Sequence, residues 1–312
     1  MQAFAVRRFG EQPALHDLPK PDAEGAFLIR VVCAAVNPLD YKLLDRLTAE
    51  SRYPFVVGVD FAGVIERVPA AAGALHPGDR VFGIARTHGA YAEFTAVAPG
   101  VPTEPLARIP DAVTDEQAAV LPIPGITALQ AIEMLETSSG QRIVVIGANG
   151  AVGGFAVQIA RARGAHVIAA VRGNPEEALG LGAHEVHDSA DRDALEAIRA
   201  AHPGGVDAVL DMVNGSPAIR RAAEILRAGG RLVSTVYAAD ESWFAERQII
   251  AYNIASNTNP LSSPAGLHQL ARLVEEGAIT ARVGPVFSLS DASTVLARAR
   301  SGNLGGKAII RP

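Results

Sequence analysis

The sequence holds a single cysteine, Cys33, in 312 residues. One cysteine excludes an internal disulfide framework and a multi-cysteine zinc lobe. It suits a reducing compartment, and a cytoplasmic location is expected. Basic charge is not in excess: the net charge is −5 and the pI is near 5.9. A phosphate-binding surface usually tilts that total the other way, so nucleic acid is not an expected partner. The opening "MQAFAVRRFGEQP" lacks an apolar core segment, so no signal peptide is expected. One uncharged run, 143–160, has the length of a membrane span. Its glycines, Asn149 and Gln158 argue against that reading, as does its change of period partway along.

What is present is an ordinary globular balance, 49% hydrophobic and 20% charged, in a chain long enough for roughly two domains. The first third consists of short strand-like runs, "AFLIRVVCAAV", "GVDFAGVIERV", "DRVFGIA" and "AYAEFTAV". Gly and Pro punctuate them densely, which predicts an irregular, largely antiparallel β domain. After Ala119 the texture changes. Apolar runs at 143–146, 167–171, 208–210, 231–236 and 249–256 alternate with helix-like segments. That alternation predicts a parallel sheet covered by helices. The end returns to a helix, "DASTVLARARSG", and a short strand, "GKAIIRP".

One stretch is both apolar and rich in glycine, "RIVVIGANGAVGGFAVQIARARGAHVIAAVR". Glycine weakens helices and strands alike, so its clustering needs a reason. The run 143–146 reads as a buried strand. From Val152 a helix follows, with Val152, Ala156, Ile159 and Ala160 on one face. Between them lie Gly147, Ala148, Asn149, Gly150, Ala151, Val152 and Gly153. Such a unit aims backbone N–H groups and a helix N-terminus at one spot, which favours the pyrophosphate of a dinucleotide. Gly150 lets phosphate approach the backbone, and Gly153 lets helix and strand pack closely. An acid at the end of the next strand would hold the ribose 2′-hydroxyl of NAD. Here that strand ends in Arg172-Gly173-Asn174, and a cation there favours the 2′-phosphate of NADP(H). Glu176 and Glu177 follow closely and leave NAD open.

With the loop placed, the flanking motifs resemble the medium-chain dehydrogenase/reductase superfamily in its zinc-free, quinone oxidoreductase-like branch. The resemblance rests on "AAVNPLDYK", "YPFVVGVDFAGVIERV", "HPGDRVFG", "GAYAEF", "AAVLPIPGITALQAI", "GANGAVG", "LGAHEVHD" and "GKAIIRP", in the usual order. It implies an α/β protein with a groES-like, mainly-β catalytic domain over 1–121 and 262–312. A Rossmann domain with a doubly wound parallel sheet is implied over 122–261, with homodimers through the sheet edge that carries "QIIAYNIASN". No metal is expected: where the zinc-dependent branch carries Cys and His-Glu ligands, this chain has Asn37 to Asp40 and Gly58-Val59-Asp60. His184 and His187 form a close pair, but in a strand their spacing sends them to opposite faces, as surface histidines.

The implied reaction is hydride transfer from NADPH to a quinone or an α,β-unsaturated carbonyl. Hydrogen-bond donors would polarise the carbonyl, and Asn37, Tyr41 and Tyr53 are the candidates. His88 and Tyr91 are weaker pocket candidates, and Asp40 reads as a local cap. Thr127, Met212, Val213, Val236 and Tyr237 are expected at the coenzyme, with Asn257 or the Lys307 region closing over the nicotinamide. Two alternatives stay open: an enoyl-thioester reductase, and a non-catalytic NADPH-binding sensor.

Overall fold

A computed structural model describes residues 1–70, 73–191, 193–254, 260–302, 304 and 306–312. Asn257 lies outside the described residues. The chain divides into two compact units. The first comprises Met1–Ile123, Pro260–Glu275 and Ala281–Pro312; the second comprises Pro124–Asn259 and Glu276–Thr280.

The first unit opens with β1 (Gln2–Val6), β2 (Ala14–Asp17), β3 (Phe27–Ala35), α1 (Pro38–Leu44), β4 (Phe55–Val56), β5 (Asp60–Arg67), β6 (Arg80–Ile84), β7 (Phe94–Val97), β8 (Leu106–Arg108) and α2 (Asp115–Ala119). β3 is the trunk. It pairs antiparallel with β5 and β7, and β6 joins β5 to β8. The register sets Ala35 opposite Asp60, so the chain leaves β3 for Asn37 beside the start of β5. Phe4, Ile29, Phe61, Val81 and Tyr91 fill the core. Each such side chain contributes roughly 1.5–3 kcal/mol by leaving water.

The second unit contains most of α3 (Pro122–Met134), then β9 (Arg142–Ile146), α4 (Ala151–Ala162), β10 (His166–Val171), α5 (Pro175–Gly180), β11 (Glu185–Asp188), α6 (Ala194–Ala201), β12 (Val206–Asp211), β13 (Leu226–Ser234), α7 (Glu241–Ala245) and β14 (Ile250–Asn253). Its strands run parallel in the order β11-β10-β9-β12-β13-β14. The chain builds outward from β9 in one direction and then in the other. The carboxyl ends beside β9 are therefore the switch point where ligands bind in such sheets. The helix after β9 departs from its one-faced pattern, because α4 is buried continuously from Gly153 to Ala160. One side packs on β9 and β10. On another side Gln158 exchanges hydrogen bonds with Thr280, donating at 3.3 Å and accepting at 2.7 Å.

The tail supplies α8 (Pro264–Glu275), β15 (Val286–Ser288), α9 (Ala292–Arg300) and β16 (Ile309–Arg311) to the first unit. β16 pairs antiparallel with the end of β3, Ile309 opposite Ala35. The Val36 amide donates to Ala308 O at 2.9 Å. This pairing carries Lys307, remote in sequence, to the side of Asn37.

Candidate active site

In the second unit, β9 ends in Gly147, whose φ of +87° is left-handed and open to glycine at little cost. Gly150 caps α4 and its amide donates back to Gly147 O at 3.0 Å. The Gly154 amide donates to Gly150 O at 2.8 Å, as the first turn of the helix closes. The amides of Ala151, Val152 and Gly153 thus belong to the first turn, where a helix has no acceptor for them and favours an anion. A Cβ on Gly153 would stand 2.2 Å from Gly147 O, so only glycine lets the helix start this close to the strand end. Ala148 is buried beneath the loop.

Of the other coenzyme candidates, Met212 and Val213 lie against Gly147, and the turn after Arg172 is bonded to Asn149. Arg172 is exposed just past β10. Glu177 accepts from Asn174 Nδ2 at 2.9 Å. At the carboxyl ends of β12 and β13, Val213 and Tyr237 are 61% and 64% exposed, an unusual display for large apolar groups at a sheet end. Met212 is half-buried, Val236 exposed, and Thr127 half-buried on α3. A glycine cradle, an N-terminal helix turn, a nearby guanidinium and uncovered apolar side chains together fit a bound dinucleotide.

In the first unit a polar network is enclosed in the core. Pro38 begins α1, where its missing N–H costs nothing. Asp40, one turn in, accepts the Asn37 amide at 2.7 Å and so acts as the local cap expected of it. The same oxygen accepts the Tyr91 hydroxyl at 2.7 Å. Asn37 Nδ2 donates to Asp60 Oδ2 at 2.9 Å and to Ala35 O at 3.3 Å. The Ile123 amide donates to Asp60 at 3.1 Å. Lys307 Nζ donates to Asn37 Oδ1. Asn37 is 2% exposed, and Asp40 and Asp60 are buried as well.

Burial pushes Asp60 up from 3.8 to about 7, although the Lys307 charge and the Asn37 amide pull it back. Burial likewise lifts Asp40 to about 6, against the hydrogen bonds from Asn37 and Tyr91. It lowers the Lys307 ammonium, which both aspartates support. Burial, then the Asp40 charge, holds the Tyr91 phenol well above its usual range. Burial thus moves the two acids up and the amine down, and Asp60 titrates near neutral pH.

The sequence candidates separate here. Both amide hydrogens of Asn37 are committed inside the protein, so direct contact with a substrate carbonyl needs one of these bonds to break. Tyr91 is no pocket residue: it is wholly buried, packed where a Cβ on Gly58 would stand 2.2 Å from its ring. Tyr41 and Tyr53 line a different feature, a cavity of about 390 Å³ shared with Phe4, Phe9 and Leu296. The Tyr53 hydroxyl is turned to Thr48 O at 2.8 Å, and the Arg300 guanidinium lies over the Tyr41 ring at 4.8 Å. His88 is half-buried in its loop, with burial and the Arg52 charge lowering its basicity. Lys307, read from sequence as part of a region that closes over the nicotinamide, donates its ammonium to Asn37. The clue to this network was a charged residue, Asp60, inside the apolar run "VVGVDFAGV".

The histidine pair also departs from its expected form. His184 precedes β11 and stacks on His166 with centroids 4.6 Å apart. His187 is half-buried, 3.8 Å from Glu185, which also receives His166 at 2.6 Å and His202 at 3.0 Å. The odd spacing mattered less than Glu185, whose two oxygens gather imidazoles from three elements.

A zinc ion does not fit the first unit's network. An amide, two carboxylates and an ammonium stand where the zinc branch has thiolate and imidazole, and the Lys307 ammonium already supplies the positive charge. Among the described residues, no group of three or more His, Cys, Asp or Glu side chains is arranged to hold a metal ion.

Comparison with known proteins agrees with both units. Residues 151–276 match the family described as Zinc-binding dehydrogenase, and residues 23–111 match the Alcohol dehydrogenase GroES-like domain. A quinone oxidoreductase of Rattus norvegicus is 30% identical over 310 residues, covering 94% of this chain and 92% of the relative. The structure of the quinone oxidoreductase from Coxiella burnetii matches with a TM-score of 0.86 at 28% identity, covering 100% of this chain and 99% of that one. The mycobacterial Rv1454c, solved in complex with NADPH, matches with a TM-score of 0.84 at 25% identity and 100% coverage of both chains.

Proposed function

Because the chain belongs to the quinone oxidoreductase-like branch of the medium-chain dehydrogenase/reductase superfamily, we propose that it is an NADPH-dependent reductase acting, without zinc, on a quinone or an α,β-unsaturated carbonyl. Membership and the glycine loop make it an NAD(P)H-dependent oxidoreductase; the preference for NADPH and the acceptor class are our reading. The observation that carries it is the strand–glycine loop–helix unit followed by Arg172 rather than an acid at the end of β10. When bound, the coenzyme supplies the hydride.

The chain's own residues bind and orient. The amides at the start of α4 and the cradle from Gly147 to Gly153 hold the pyrophosphate, with Thr127 beside it. Arg172 pairs with the 2′-phosphate. Val213 and Tyr237 cover apolar faces of the coenzyme. Tyr41 and Tyr53 act as aromatic walls for a flat acceptor. Asn37 acts as a positioning group, held by Asp60 and Lys307, and the network retains or releases a proton near neutral pH. The groES-like domain spans 1–121 with 262–312, and the Rossmann domain spans 122–261. Edge strand β14, with Ile250 40% exposed, is the dimer contact; sedimentation as a monomer at micromolar concentration would overturn it.

The test of function is a fluorescence titration with NADPH and NADH, followed by addition of small quinones, an enone and an enoyl thioester while nicotinamide absorbance is recorded. NADPH oxidation by a quinone or enone supports the proposal. Oxidation by the enoyl thioester alone moves the chain to the enoyl-reductase reading. Binding without turnover across the panel favours a sensor. Failure to bind either nucleotide overturns the reading of the loop.

A further inference from the structure

One side chain joins the glycine loop to the turn that carries Arg172. Asn149 donates both amide hydrogens across the gap, to Gly173 O at 3.0 Å and to Asn174 O at 2.9 Å. The bridged turn is not self-supporting. It runs through two consecutive left-handed residues, Gly173 at φ +77° and Asn174 at φ +56°. Asparagine adopts that conformation more readily than most residues, yet neighbours must still hold it there. On the far side Asp188, at the end of β11, accepts the Gly173 amide at 2.8 Å. Asn174 Nδ2 donates to Glu177 at 2.9 Å and so restrains one of the two glutamates, Glu176 and Glu177, that follow the turn.

We propose that Asn149 is a positioning residue for coenzyme discrimination. By clamping the carbonyls of residues 173 and 174, it fixes the backbone that aims Arg172 at a 2′-phosphate. The pyrophosphate cradle and the 2′-phosphate cation are thereby held as one rigid unit. A shorter side chain at this position, alanine or serine, leaves the loop glycines intact but cannot reach both carbonyls. This inference rests on the NADPH reading given above.

The test uses the full chain with NADPH and NADH as probes. Dissociation constants are measured for wild type, Asn149→Ala, Arg172→Ala and the double variant. The expected result is a rise of about tenfold in the NADPH constant for Asn149→Ala, with the NADH constant changing by less than about twofold. In the Arg172→Ala background the Asn149 substitution should have almost no further effect on NADPH, because the two residues act through one contact. Asn149→Ser gives the same readout if the alanine variant fails to fold. Equal weakening of both coenzymes, or additive effects in the double variant, would overturn the inference while leaving the NADPH reading in place. Equal affinity of wild type for both coenzymes, unchanged by Arg172→Ala, would overturn the NADPH reading and the inference with it.

Discussion

The glycine loop and the buried polar network are built in opposite ways. The loop is a contiguous run from Gly147 to Gly153, made largely of backbone, and its Arg172 turn lies one strand away. The network takes Asn37 and Asp40, Asp60, Tyr91 and Lys307 from four stretches of chain and works through side chains. A backbone device is damaged by adding atoms, whereas a side-chain network is damaged by removing them. The difference also divides their chemistry. The loop offers fixed partial charges, while the network offers ionisable groups whose state depends on pH.

The strongest way to break the contrast is to add a methyl group or more to the loop. Gly153→Val puts a Cβ 2.2 Å from a backbone oxygen that cannot move aside cheaply. We expect a loss of about 3 kcal/mol in stability by urea unfolding and about a hundredfold weaker NADPH binding. Near-normal binding would show that the loop does not cradle the pyrophosphate.

Removing the network's cation comes next. Lys307→Met leaves two buried carboxylates without their ammonium partner, so we expect a loss of about 3 kcal/mol at pH 8. The loss should be clearly smaller at pH 6, where Asp60 neutralises itself by taking a proton. Adding Asp60→Asn to Lys307→Met should restore part of the stability at pH 8. Unfolding curves at the two pH values test both statements, and a pH-independent loss would contradict the electrostatic account.

The probe that changes the fewest atoms is Asp60→Asn alone. The folded-state value of Asp60 is about 7, against 3.8 for the free group. Between those values the folded protein holds a proton that the unfolded chain has released. Asp60 therefore makes stability fall as pH rises through that window, by at most about 1.4 kcal/mol per pH unit, with no further fall above it. The asparagine variant should lack that component, while Asp40, near 6, keeps a slope of the same sign over a narrower pH window. A wild-type minus variant difference that stays flat from pH 4 to 7 would show that Asp60 is not titrating there.

Much of the strand–loop–helix unit proposed to hold the coenzyme was legible beforehand, because it depends on neighbours in sequence. An apolar run, a glycine turn and a helix-period segment must form locally, whatever surrounds them. The same locality made the capping role of Asp40 readable three residues from Asn37. Tyr91 was misplaced because no local pattern tells a pocket tyrosine from a core tyrosine; its site is made by the glycine at 58. The one-sided pattern of α4 failed for a related reason, since Thr280, far along the chain, covers a second side of the helix.

The two-domain composition, the βαβ unit, the glycine turn and the cation after β10 follow from the order of residues, because steric and hydrogen-bonding rules act over a few positions. The pairing of β16 with β3, and with it the meeting of Lys307 with Asn37, was settled only by the tertiary structure. So were the raised pKa values, and hence the weakened acidity, of Asp40 and Asp60. Burial and charge proximity are properties of three-dimensional neighbours, and a residue 270 positions away leaves no mark on the local pattern.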